Sequence, residues 1–173
     1  MRYLKIIFFV FLILNFYNLS FAEETYFIDM NKLLNQSKAG KEAQDFLKEK
    51  IITGDKKLKN EGELLKKEEI DLIAKKKTLS ADEYKKTLNQ LREKNIKFQR
   101  KRGNLTKAIT TQRAEARNNL LKAIDSILTK YMLENNIQII IYRKYIVMAN
   151  SKLDLTDKIL EILNKELKSL NLK

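Results

Sequence analysis

Between about residues 43 and 136 the chain shows no strand-like alternation, and its apolar side chains return at helical spacing instead. Ile51, Leu58, Leu65, Leu72 and Leu79 recur every seven residues, while the companion seam positions hold Asp55, Gly62, Glu69 and Lys76. A second stripe, Tyr84, Leu88, Leu91, Asn95, Phe98, Arg102, Leu105 and Ile109, alternates steps of four and three, as a coiled-coil seam does. Two long helices are expected. Between them, Ser80 with Glu83 reads as a capping box, and Leu79 can pack on Tyr84 as a hydrophobic staple. If the chain folds back there with paired residue numbers summing to 160, Leu72 meets Leu88, Leu65 meets Asn95, Gly62 meets Phe98, Asp55 meets Leu105 and Ile51 meets Ile109. Nearly every layer then holds one large apolar residue. The expected product is a thin antiparallel hairpin with arms of about 30 residues, roughly 45 Å long at the helical rise.

Shorter elements flank this hairpin. The apolar and aromatic run at residues 25–30 reads as one strand, followed by a helical turn through Leu33 and Leu34 and by Ser37 as the N-cap of the first long helix. The second long helix ends in an apolar base containing Leu120, Leu121, Ile124, Ile127, Leu128, Tyr131 and Met132. After it, residues 137–142 and 145–149 are enriched in β-branched side chains and predict a strand pair turning at Arg143-Lys144. Asp154 or Thr156 can cap a last helix that carries Ile159, Leu160, Leu163, Leu167 and Leu170 on one face. The fold class is therefore α+β: a small β-rich body, residues 23–50 and 113–173, carrying a long coiled-coil α-hairpin arm, residues 51–112. Such a body is too small for a comfortable core of its own, which predicts a homo-oligomer.

Residues 1–22 have a different character. Arg2 and Lys5 precede the apolar run at residues 6–14, and Ser20-Phe21-Ala22 supplies a small-x-small cleavage site, the form of a secretory signal peptide. Its removal predicts an exported chain of 151 residues with net charge +11, against +13 for the full 173. A retained membrane anchor is the alternative, and would make the protein a coiled-coil tether gripping an anionic envelope surface.

Composition narrows the chemistry. The absence of Cys and His removes thiol nucleophiles, disulfides, zinc knuckles and the usual neutral-pH base, so no enzyme, metal or cofactor is expected. The absence of Pro leaves nothing to break the long helices. Charge is concentrated: residues 56–107 hold 17 basic and 8 acidic side chains. That excess predicts an acidic client or anionic ligand on the arm, with Lys75, Lys76 and Lys77 at the tip and Arg100, Lys101 and Arg102 farther down as candidate binding residues. Export and the lack of a zinc finger or aromatic RNA-binding signature argue against nucleic acid. Gly54 and Gly103 lie at nearly one level of the hairpin and are candidate hinge residues, since a glycine inside an exposed helix costs about 1 kcal/mol relative to alanine.

The order of these features, with Tyr26-Phe27-Ile28-Asp29, Ser37-Lys38-Ala39-Gly40-Lys41, Asn136-Ile137-Gln138-Ile139-Ile140 and Asp154-Leu155-Thr156-Asp157-Lys158-Ile159-Leu160, resembles the Skp/OmpH family of periplasmic chaperones. The resemblance covers essentially the whole chain after residue 22, and is most specific at the S-x-A-G-K and D-L-T segments. It implies a homotrimer whose β-rich trimerisation body carries three arms around a cavity. It further implies an ATP-independent holdase for unfolded outer-membrane proteins, with lipopolysaccharide or another anionic lipid as a further partner. For a lipopolysaccharide site, Lys101 matches a basic position of the family.

Overall fold

The computed structural model describes residues 24–172; the signal-peptide reading of residues 1–22 lies outside them. Strand β1 (Tyr26–Ile28) leads into helix α1 (Met30–Gln36), then α2 (Lys38–Ala74), α3 (Ala81–Glu134), strand β2 (Ile140–Tyr142) and helix α4 (Thr156–Glu166). Short 3-10 turns occupy Lys75–Lys77, Arg143–Tyr145 and Ser151–Leu153.

Each helix start has a local cause. Asp29 accepts the Lys32 amide at 3.0 Å and opens α1. Ser37, fully buried, accepts the Gly40 amide at 3.1 Å and opens α2 directly against the end of α1. At Gly40 a Cβ would overlap the Leu34 carbonyl oxygen, so the close approach of the two helices requires glycine. The S-x-A-G-K segment is thus a corner: a buried cap followed by a residue with no side chain. At the other end of α2, the expected capping box is present. The Ser80 amide donates to the Glu83 carboxylate at 3.1 Å, and the Glu83 amide donates to Ser80 Oγ at 3.3 Å.

Helices α2 and α3 run antiparallel in the anticipated register. The Phe98 ring lies over Gly62, where a Cβ would come within 3.2 Å of its Cζ. Leu65, Leu72 and Leu91 are the buried residues of the arm, backed by Leu79, Tyr84, Leu88 and Phe98. Toward the body, Leu105 packs on Gly54, one position from the expected Asp55, whose carboxylate stays exposed. The arm is thin, as the one-sided layers require.

The core sits at the base. Ile28, Leu33, Leu34, Leu120, Ile124, Ile127, Ile137, Ile159 and Leu163 form one cluster to which β1, α1, α3 and α4 all contribute. Helix α3 ends on Asn136 in the left-handed region (φ 52°), with the Ile137 amide reaching back to the Met132 carbonyl at 3.0 Å, a Schellman-type stop. The last helix is tied to the first strand through the D-L-T segment. The Leu155 amide donates to the Phe27 carbonyl at 2.9 Å, and the Asp29 amide donates to Thr156 Oγ1 at 2.8 Å. Asp154 accepts both the amide and the hydroxyl of Thr156, while Leu155 holds the cap position.

The strand pair at residues 137–149 requires correction. Strand β2 pairs in parallel with β1, in the register Tyr26 with Ile140, Phe27 with Ile141 and Ile28 with Tyr142. Residues 143–145 turn as a 3-10 helix and residues 146–149 join no strand. A tight two-residue hairpin needs positive φ at its centre, and Arg143-Lys144 supplies no residue suited to it; among the described residues only Asn136 and Asn171 take positive φ. The whole α2–α3 hairpin instead forms part of the long crossover that a parallel pair needs.

Candidate functional site

The candidate site is the surface of the arm. Helix α2 has 37 residues and α3 has 54, so the hairpin extends well beyond the core at the base. Lys75, Lys76 and Lys77 occupy the 3-10 turn at the tip, all exposed. Nothing acidic pairs with them among the described residues, so they concentrate positive charge where the arm meets solvent first.

Arg100, Lys101 and Arg102 do not form one patch. Successive helical residues point about 100° apart, and here they separate in role. Lys101 donates to the Glu61 carboxylate across the hairpin at 2.7 and 3.0 Å. Arg102 stands in the seam stripe, exposed, and Arg100 points away from it. The structure also keeps the tip lysines apart from this cluster: the level of Lys101 is some 15 residues down α2, roughly 20 Å at the helical rise. A second cross-helix pair, Lys94 with Glu68 at 2.7 Å, lies on the same flank as Lys101 with Glu61. Both pairs are exposed and individually worth little, and they mark the register.

The hinge candidates differ in surroundings. At Gly54 a Cβ would lie 2.5 Å from Leu105 Cδ2, whereas Gly103 has open space around it. Gly54 therefore serves packing as well as any bending.

Sequence reasoning did not anticipate a groove where the arm meets the body. It has a volume of about 830 Å³ and is lined by Ala43, Leu47, Ile51, Ile52, Ala116 and Leu120, with the charged side chains of Asp45, Lys48, Arg113 and Arg117. The small side chains of Ala43 and Ala116 at the helix crossing leave this room; the two alanines are the trace it leaves in the sequence. The apolar segment that follows β2 was likewise unforeseen as a surface. Tyr145, Val147 and Met148 are 72%, 103% and 90% exposed, next to the half-exposed Ile139, Ile141 and Tyr142. No cluster of metal-binding side chains and no helix long and apolar enough to cross a membrane occurs among the described residues.

Comparison with known proteins agrees with this architecture. A crystal structure of a candidate outer membrane chaperone (OmpH-like) from Caulobacter crescentus CB15 superposes with a TM-score of 0.79 at 21% identity, covering 86% of this chain and 88% of the other. No curated protein matches the chain. The family model described as outer membrane protein (OmpH-like) matches residues 24–163, from the first strand through the buried face of the last helix. With the buried cap at Ser37, the glycine corner at Gly40 and the Asp154–Thr156 tie all inside that span, the chain belongs to the OmpH-like outer membrane protein family.

Proposed function

We propose that this protein is an ATP-independent periplasmic holdase that captures unfolded outer-membrane β-barrel precursors between the basic arms of a homotrimer. The observation that carries the reading is the arm itself: a thin, cation-rich hairpin with three buried side chains, projecting from a separate core. An arm so sparsely packed bends to clients of different size, and no chemical step is needed to hold them. Unfolded β-barrel precursors expose apolar segments and carboxylates. Basic arms speed their capture and retain them through many weak contacts that salt screens.

The base supports the proposed assembly. Ile139, Ile141, Tyr142, Tyr145, Val147 and Met148 are exposed apolar side chains within ten residues, and β2 has one free edge. Association of three copies buries both. Export through a cleaved signal peptide delivers the chain to its clients, and lipopolysaccharide or an anionic lipid is a further ligand for the cations at the arm tip, Lys75, Lys76 and Lys77, with Arg100 and Arg102 as separate points and Lys101 held by Glu61.

The test is dilution of a denatured porin into buffer with and without the purified chain lacking residues 1–22. The proposal expects light scattering to be suppressed at about one trimer per porin, with protection falling as salt rises. Unchanged aggregation across several β-barrel clients would reject it.

A further inference from the structure

The two flanks of the hairpin are not equivalent. On one, Glu61 and Glu68 of α2 face Lys101 and Lys94 of α3, and both pairs close into ion pairs. On the other, the seven-residue stripe of α2 reads Ile52, Lys59, Lys66, Ile73, and that of α3 reads Lys85, Arg92, Gln99, Thr106, Arg113. The groove at the base shows that these two stripes share a side, because Ile52 and Lys48 line it together with Arg113 and Arg117. Over these spans neither stripe contains an acid; one heptad earlier the α2 stripe holds Asp45, which comes level with Arg113 at the groove. In the register fixed by Phe98 over Gly62 and Lys94 on Glu68, Lys66 comes level with Arg92, cation against cation.

Such an arrangement costs the arm stability, since like charges facing across a pair of helices repel. Acids near this flank are few: Glu63 and Asp82 on adjoining positions and Asp45 at the groove end. The same flank and its adjoining positions carry exposed Ile52, Ile70, Ile73 and Ile96, between 53% and 61% accessible, whereas the ion-paired side carries Leu64. Cations without ion-pair partners and isoleucines without cover thus share one face. From Ile52 to Ile73 they span about 32 Å at the helical rise, which an extended chain of about ten residues matches. A lipid headgroup or free anion would need only one point on that length.

We infer that this ion-pair-free flank is the docking face of the arm for an extended polypeptide segment rich in carboxylates and apolar side chains, one bulky side chain of which enters the groove beside Arg113 and Arg117. The inference rests on the holdase reading and adds to it a face, a polarity and an anchor. It makes Lys66 and Arg92 electrostatically strained in the empty arm and relieved in the loaded one.

The experiment uses the chain lacking residues 1–22 with a denaturant-diluted acidic porin. A photoreactive residue is placed at the position of Ile73 or Ile96, and in separate variants at the position of Leu64 or Lys97. Crosslinking to porin is expected to be about tenfold greater from the first pair. A second arm compares Arg92→Glu with Lys97→Glu, which change net charge equally. Arg92→Glu pairs with Lys66, so Tm is expected to rise by about 1–2 °C while the porin dissociates about fivefold more readily than from Lys97→Glu. Equal crosslinking from both flanks, or equal affinity of the two charge variants, overturns the docking face while leaving the holdase standing. Failure of the unmodified protein to hold porin removes both. Crosslinking from Ile73 and Ile96 to vesicles containing phosphatidylglycerol, with none to porin, overturns the polypeptide assignment.

Discussion

Gly40 and Ser80 show how unequally single residues announce themselves. The capping box at Ser80 is readable because both partners lie within four residues, and the structure places both hydrogen bonds. The Ser80 hydroxyl, which donates to the Glu83 carboxylate at 2.7 Å, and secondly the Ser80 amide hold the Glu83 carboxyl below its ordinary value. A depressed carboxyl contributes stability that is present above the unfolded pKa and lost as pH falls through the folded one, so the start of α3 should loosen only in acid. NMR titration is expected to find Glu83 below the ordinary carboxyl value, and Ser80→Ala to raise it; an unmoved value would contradict the cap. Gly40 carries no such local sign, because its need for hydrogen in place of a side chain comes from the Leu34 carbonyl of a neighbouring helix. Gly40→Ala should cost about 1–3 kcal/mol in urea unfolding by pushing α1 off the core, and a loss under a few tenths would show that the corner yields.

At the scale of elements, the hairpin was legible and the sheet was not. Seam stripes in both helices, and glycine placed opposite Phe98, fix a register that the ladder of Gly62 with Phe98, Glu61 with Lys101 and Glu68 with Lys94 reproduces. Strand β2 pairs with β1 across more than a hundred residues, and a parallel pair of three residues leaves no turn signal in the sequence. The β-branched run at 137–149 therefore reads equally well as a local hairpin. The hinge is an element-level proposal: bending at Gly54 and Gly103 lets the tip swing. Gly103 meets open space, so Gly103→Ala should add up to about 1 kcal/mol of stability and narrow the distance distribution between spin labels at tip and base. Gly54→Ala crowds Leu105 and should destabilise instead. An unchanged distribution in Gly103→Ala would remove the hinge.

For the whole molecule, composition located the charge but not its sidedness. The excess of cations over residues 56–107 is visible in a count, whereas the division into a paired flank and a bare one needs the register between helices. The groove at the base was hidden for the same reason, since its walls come from residues some 60 or more positions apart. Assembly is the next level. Val147 and Met148 stand exposed on the single chain, so if the proposed trimer forms through them, Val147→Asp with Met148→Asp should reduce the sedimentation mass from three chains toward one; a mass unaffected by the pair would place the contact elsewhere.

Native mass spectrometry of the chain lacking residues 1–22, mixed with a denaturant-diluted porin at low ionic strength, tests the central claim most directly. The account predicts one porin bound to three copies of the chain, released as salt is raised. Porin found only as aggregate, or bound to a single chain without salt dependence, would contradict it.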